Sequence, residues 1–322
     1  MKETPCPLCA HPRTLEVLPT LGDRLYGTAG RGSIARCPRC AIVFTIVREA
    51  ACAYPAEYGP YRLPGAAGPV RGATRGRIRR AFYEGAGTVW ERAALFLPYL
   101  VFRARDGYKM RIKSGYEHAF RRIGRLLDVG CGGASWLLLW SRRQKECVGV
   151  EPHDATALAA RERTGLDIRS GDLRSQGFAA ESFDVVTFCH VLEHLEDPRA
   201  ELREARRLLR PGGEILVWVP HYGSLFRRFF GRDWVPYDVP RHLWHFTAPR
   251  LAALLSECGL RATEVAMDPN EFAFRTSVGL RRRSGHRFGA WVLGHRWVRM
   301  LMGTASVLFR RADVIRVRAR KA

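Results

Sequence analysis

The stretch that most constrains the fold is residues 125–140, RLLDVGCGGASWLLLW. Two leucines lead into Asp128, glycines follow at 130, 132 and 133, and from Trp136 the apolar residues recur with a helical period. The pattern reads as strand, tight loop, helix. Gly130 and Gly132 carry no β-carbon, so the backbone can turn sharply at the strand end and a flat ligand can lie against it. A phosphate-cradling loop needs Lys followed by Ser or Thr after the glycines, and the chain has Ala-Ser-Trp there. A glycine pair alone is weak evidence, because many αβ units turn on glycine and bind nothing. The residues downstream of the loop have to decide.

The next apolar run, CVGVEP, ends in Glu151. That is about twenty residues past the loop, where a carboxylate at a strand tip can accept both hydroxyls of a ribose. DIRSGDL, ending at Asp172, reads as a third strand, FDVVTFCHVLEHL as a fourth and PGGEILVWVP as a fifth. RATEVAMDP makes a sixth. ADVIRVRARK makes a seventh, whose alternation of apolar residues with arginine predicts an exposed antiparallel edge. With DVGCG, VLEHL and LRPGG in this order, residues 121–259 resemble the class I S-adenosylmethionine-dependent methyltransferases, in the branch that modifies quinone precursors, sugars and other small molecules. The resemblance implies an α/β fold with a Rossmann-like seven-stranded sheet. It also implies that Asp128 meets the methionine ammonium of the cofactor and that Gly130 and Gly132 carry the backbone past it. Glu151 would take the ribose hydroxyls and Asp172 the adenine amino group, with Leu173 against the ring. Ala134 stands where the family has a third glycine, a departure that tightens the loop slightly.

A sulfonium is already an activated methyl donor, so the protein mainly aligns an acceptor and, for a hydroxyl, removes its proton. His190, Glu193 and His194 are spaced i, i+3, i+4, and a helix beginning over residues 191–195 would put all three on one face. The corresponding stretch in quinone O-methyltransferases resembles MEVLEHV, whose Glu, Glu and His are associated with a divalent metal. Here the first of these is His190. Three roles stay open: His190 as proton acceptor, metal ligation, or Glu193 and His194 pinning the loop. Beyond the fifth strand, HYGSLFRRFFGRDWVPYDVPRHLWHFTAPR is a long segment at the carboxyl ends of the strands, where αβ enzymes bind substrates. Thr247 is suited to cap the next helix. Arg241 is a candidate partner for an anionic group, and His242 and His245 are candidate bases; the alternative is a packed cover whose histidines bond backbone.

The N-terminus is organised by cysteine. CPLC (Cys6, Cys9) and CPRC (Cys37, Cys40) are two C-x-x-C knuckles 27 residues apart. Each fits one side of a tetrahedral zinc, and four thiolates leave no open position for Lewis-acid chemistry, so the metal is expected to be structural. TLEVLP, SIARC and AIVFTI read as three short strands, completing a zinc ribbon over residues 1–50. Methyltransferases with such a ribbon have stretches similar to DVPRHLWHF. A ribbon this small buries little core alone, so the metal is expected to supply its folding energy. Residues 51–120 read as a linker and helical cap, in which the apolar run 93–102 is either a core-facing helix or an interfacial anchor. Residues 121–322 then form the methyltransferase domain, with a basic and apolar helical insertion at about 271–311 that either extends toward a membrane or lipid-linked substrate or packs on the sheet.

The formal charge is +22, and only five of 53 basic residues are lysine. Residues 71–125 hold 14 basic and 4 acidic residues, and residues 275–322 hold 13 and 1, so these two segments carry the entire excess. They suit an anionic partner such as a phosphorylated or lipid-linked substrate, a membrane face or RNA; the alternative is a solvated arginine-rich surface. No apolar leader opens the sequence and no uncharged run reaches the ~20 residues of a membrane span. The expectation is a cytoplasmic protein, with peripheral contact at the inner membrane face left open. The leading functional expectation is O- or C-methylation of a small-molecule or glycan intermediate. An RNA methyltransferase and a non-catalytic cofactor-binding scaffold are the alternatives; the fourth strand ends in CHVLEH rather than the Asn/Asp-Pro-Pro-Tyr common in base N-methylation.

Overall fold

A computed structural model describes residues 4–49, 124–141 and 146–321. The chain divides into two compact units, Met1–Arg62 with Arg122–Ala322, and Leu63–Arg121. All described residues belong to the first unit; the expected linker, helical cap and apolar run at 93–102 lie outside them.

Seven strands form the main sheet: β4 (Arg125–Val129), β5 (Glu146–Glu151), β6 (Asp167–Ser170), β7 (Phe183–Cys189), β8 (Leu209–Pro220), β10 (Leu260–Asp268) and β11 (Val314–Lys321). Their order is β10-β11-β8-β7-β4-β5-β6. The pairs β4–β5, β5–β6, β4–β7 and β7–β8 are parallel, while β11 runs antiparallel to both β8 and β10. The inner strands are continuous apolar runs, as burial on both faces requires: Leu126, Leu127, Val148, Val186, Phe188 and Val217 are all fully buried. Helices α1 (Ser135–Trp140), α2 (Asp154–Thr164) and α3 (Pro198–Leu208) supply the crossovers, and α5 (Ala248–Glu257) follows Thr247, which occupies the N-cap without a side-chain cap bond. Chain order reverses direction at β4, which opens a crevice at its carboxyl end.

The last strand is not the edge that its alternating arginines predicted. It lies between β8 and β10, and the edge on that side of the sheet is β10. Acids on the flanking strands make this possible. Arg316 Nε donates to Asp268 at 3.1 Å, Arg320 donates twice to Glu214 at 3.0 and 2.9 Å, and Arg318 lies 3.4 Å from Glu264 and 3.9 Å from Glu214. Interior guanidinium groups are tolerable only when paired in this way.

The ribbon strands are β1 (Leu15–Gly22), β2 (Arg31–Arg36) and β3 (Val43–Glu49), and they gain a fourth, β9 (Trp244–His245), from the segment after β8. The ribbon therefore does not stand alone. Cys6, Cys37, Ile42 and Phe44 share one buried cluster with Leu127, Phe188, Leu192 and Trp244 of the main sheet and its loops. Leu21, Ile34 and Val43 share another with Phe226, Phe230, Trp234 and Phe274. These last residues come from α4 (Leu225–Phe230), the turns after it, and α6 (Glu271–Arg283). Two more helices, α7 (Arg287–Gly294) and α8 (Arg296–Leu308), complete the chain between β10 and β11.

Glu214 is 1 % exposed. Glu214→Ala is expected to cost about 2 kcal/mol, below the figure for a fully buried pair because Arg320 is half exposed, read as a lower midpoint in thermal denaturation. An unchanged midpoint would contradict the interior placement of β11.

Candidate active site

The glycine loop meets its expectation of tight turns. Gly130, Gly132 and Ala134 all adopt positive φ, at 66°, 52° and 53°. A β-carbon at Gly130 would lie 2.5 Å from Val191 Cγ2, so the loop is pressed against the residue after His190. Gly130 and Cys131 N–H groups donate to Val150 O at 2.7 and 3.0 Å, which anchors the loop to β5.

Asp128 is 2 % exposed at the crevice. It accepts a 2.6 Å bond from the Thr187 hydroxyl on β7, a residue that in the sequence is only one more member of an apolar strand. Burial, partly offset by that hydroxyl and reinforced by the charge of Glu151, pushes its pKa up to about 7. A buried acid in that state is poised to receive a cation. Glu151, on the neighbouring strand tip, accepts from Gly132 N–H at 2.9 Å through Oε2 and from His153 N–H at 3.1 Å through Oε1. Each oxygen keeps a further lone pair for a hydroxyl donor. Asp172 is exposed at the N-cap of a short 3-10 turn, while the Leu173 side chain is 2 % exposed and joins the sheet's core cluster.

The next turn departs from expectation. Residues 191–195 do not begin a helix; His190 has φ 58° and its N–H donates to Trp218 O at 2.9 Å, so the chain leaves β7 through a tight turn. His190 keeps a partly open side chain, with Nδ1 3.4 Å from Glu193 Oε1. Glu193 is fully buried. Burial alone would raise its pKa, but contact with His190 and the charges of His194, His190 and His242 bring it below the ordinary value.

The other two candidate bases are packed inward. His242 Nδ1 meets Pro236 O at 2.8 Å, and His245 Nε2 meets the Thr45 hydroxyl at 3.0 Å. Burial, with the charge of His242, pulls His245 down to about 3. Arg241 does not await an anionic ligand either. Its guanidinium donates to both oxygens of Asp23 at 2.8 Å and to Asp238 at 3.0 Å, over the ring of Tyr26. The acids that consume it lie 218 and 3 residues away in sequence, and only the second was within reach of a local reading.

Two groups of ligand atoms among the described residues lie within 4.8 Å of one another: the sulfurs of Cys6, Cys9, Cys37 and Cys40, and atoms of Glu193, His194 and His242. The Cys6–Cys40 and Cys9–Cys37 sulfurs are 3.7 and 3.6 Å apart. A tetrahedral zinc with bonds of about 2.3 Å requires sulfur separations of about 3.8 Å. In each knuckle an alanine, Ala10 or Ala41, takes positive φ and returns its N–H to the first cysteine's carbonyl, so the two halves repeat one geometry. In the second group His242 stands in place of the expected His190, so that two histidines flank one carboxylate.

The methyltransferase domain family matches residues 99–265, just over half of the chain. The chain belongs to that family, and its sheet is that of the class I S-adenosylmethionine-dependent methyltransferases. Among similar curated relatives, the ubiquinone biosynthesis O-methyltransferase of Ruegeria pomeroyi is 38 % identical over 161 residues, covering 47 % of this chain and 64 % of the relative. The enzyme of that name from Cereibacter sphaeroides is 33 % identical over 147 residues, covering 42 % and 60 %. The chain thus spans less than two thirds of the length of these relatives. A solved S-adenosylmethionine-dependent methyltransferase from Thermotoga maritima is similar at 16 % identity with a TM-score of 0.47, covering 72 % of this chain and 98 % of that one.

The crevice residues fit S-adenosylmethionine: a buried acid that could meet the ammonium, a glycine-rich loop beside it, and a second acid with spare lone pairs. If Asp128 receives the cofactor's ammonium it must be ionised, and with its pKa at about 7 cofactor affinity is then expected to fall about tenfold per unit as pH drops below that value and to level off above it. Calorimetric titration from pH 5 to 8 checks this. Asp128→Asn should bind weakly at every pH with the slope gone, and a slope that survives would locate the titrating group elsewhere.

Proposed function

We propose that this protein transfers the methyl group of S-adenosylmethionine to a hydroxyl of a small aromatic molecule of the quinone-precursor class, with His190 accepting the hydroxyl proton. The names of the relatives suggest the acceptor class. The observation that carries the reading is the press of Val191 against Gly130, which sets His190 beside the cofactor loop with one ring nitrogen turned to a buried carboxylate. Bound S-adenosylmethionine would supply an electrophilic methyl group. Asp128 and Glu151 would orient it from the tips of β4 and β5. His190 would hold Nδ1–H toward Glu193 and take the acceptor's proton at Nε2, while the anionic Glu193 stabilises the imidazolium. Asp172 would meet the adenine amino group at the rim, beside Leu173. His242 and His245, already bonded inside, are left a supporting role.

The acceptor is read as amphiphilic and met at an anionic membrane surface. No helix among the described residues is long and apolar enough to cross a membrane. Phe272, Trp291, Leu301 and Phe309 are nevertheless 64–71 % exposed along α6–α8 and just after it, among arginines with almost no acids. Aromatic side chains set in a basic surface suit the headgroup region of anionic lipid. A glycan or RNA acceptor is the alternative that the same surface admits.

The test is methyl transfer to an alkyl-chain catechol, in neutral detergent and in vesicles containing phosphatidylglycerol. Methyl ether should form in both and faster on vesicles, the difference vanishing at high salt, and His190→Ala should lose about 10²-fold in kcat, the range for a general base. Methylation of RNA or a nucleotide-sugar with none of the catechol would overturn the acceptor class.

The four cysteines are read as a structural zinc site. Purified protein is expected to carry one zinc per chain, and Cys37→Ser should lower metal content and thermal stability together; full-strength stability without metal would refute the site.

A further inference from the structure

The turn carrying His190 is held from one side by residues 241–244. Leu243 and Trp244 N–H groups both donate to Glu193 O, at 2.8 and 3.1 Å. The Trp244 indole N–H donates to Leu195 O at 2.7 Å, and His194 Nδ1 meets Arg241 O at 3.2 Å. Residues 241–245 are held in turn by the ribbon. Thr45 N–H donates to Leu243 O at 2.9 Å and its hydroxyl to His242 O at 2.6 Å. A hydroxyl has one hydrogen, so His245 offers Nε2–H to Thr45 Oγ1 at 3.0 Å. Strand β3 pairs with β9 at Val43–His245 and Phe44–Trp244. On the far side, Asp23 grips Arg241 with both oxygens, its side chain fully buried. Asp23 is itself fixed by the Thr28 hydroxyl at 2.6 Å and the Tyr26 N–H at 3.0 Å.

The cofactor half of the crevice takes its bonds elsewhere. The glycine loop hangs on Val150 O, and Asp128 on Thr187. No ribbon atom among the described residues hydrogen-bonds Asp128, Gly130, Gly132 or Glu151.

We propose that the ribbon is an internal positioning module for the acceptor side of the active site, in which Thr45 and Asp23 fix residues 241–245 and through them the turn that carries His190. The proposal rests on the reading of His190 as acceptor base. It also gives the Asp23 carboxylate and the Thr45 hydroxyl of the ribbon to this chain rather than to an outside ligand.

The test uses the full chain with Thr45→Val, which keeps the shape and drops the hydroxyl, and Thr45→Ser, which restores it. In Thr45→Val, amide exchange at Leu243 and Trp244 should accelerate about tenfold, the scale of one buried hydrogen bond, while exchange at Gly130 and Cys131 stays unchanged. S-adenosylmethionine affinity should hold, kcat with the alkyl catechol should fall by a similar factor, and Thr45→Ser should recover both. Asp23→Asn, which keeps the shape of the grip without its charge, should move the same readouts in the same direction if Thr45→Val fails to fold. Unchanged exchange at residues 243–244 would overturn the proposal, as would acceleration throughout the sheet with cofactor affinity lost, or a serine variant that rescues nothing. If wild-type protein methylates no catechol, the functional reading fails alone, because exchange and cofactor binding still report on the linkage.

Discussion

A carboxylate buried at the tip of a central strand is costly unless a donor or a cation attends it, and Asp128 is such a group. Its one hydroxyl partner, Thr187, comes from β7, the neighbour on the side opposite β5. The reversal of strand order at β4 is what brings the acid, its hydroxyl and Glu151 to one crevice. The glycine loop is drawn over the same point by its bonds to Val150 O. The apolar runs of the sheet thus supply a dry, rigid frame, and the polar groups at its carboxyl edge supply the chemistry.

The rest of the molecule repeats one solution, in which buried charges are tolerated because charged or polar partners close on them, several from distant parts of the chain. Arg241 is closed between Asp23 and Asp238, Glu193 among three histidines, and the arginines of β11 between acids of β8 and β10. Such pairs add little net stability compared with apolar packing, but breaking one strands the other charge. They therefore fix register: of β11 in the sheet, and of residues 241–245 against the ribbon.

The same dependence on remote partners explains what could be read from sequence. The strand series, the glycine loop and the cysteine knuckles are local patterns, set by period, turn chemistry and ligand spacing, and they were legible. The position of β11 was not, because Arg-apolar alternation looks like an edge until Glu214 and Asp268 are known to lie alongside. The turn at His190 reads as a helix start because i, i+3, i+4 spacing says nothing about the positive φ with which the chain leaves β7. The ribbon looked separate because its closing strand, Trp244–His245, lies about two hundred residues downstream and is only two residues long. Arg241, His242 and His245 looked reactive because the partners that occupy them, Asp23 and Thr45 above all, are remote in sequence.

The central claim is that the crevice at the tips of β4 and β5 holds S-adenosylmethionine. A crystal structure of the protein with S-adenosylhomocysteine tests it most directly. The ligand's amino group is expected at Asp128, its ribose hydroxyls at Glu151 and its sulfur facing the His190 turn. A ligand bound elsewhere, or a ribose that leaves Glu151 untouched, would contradict the claim.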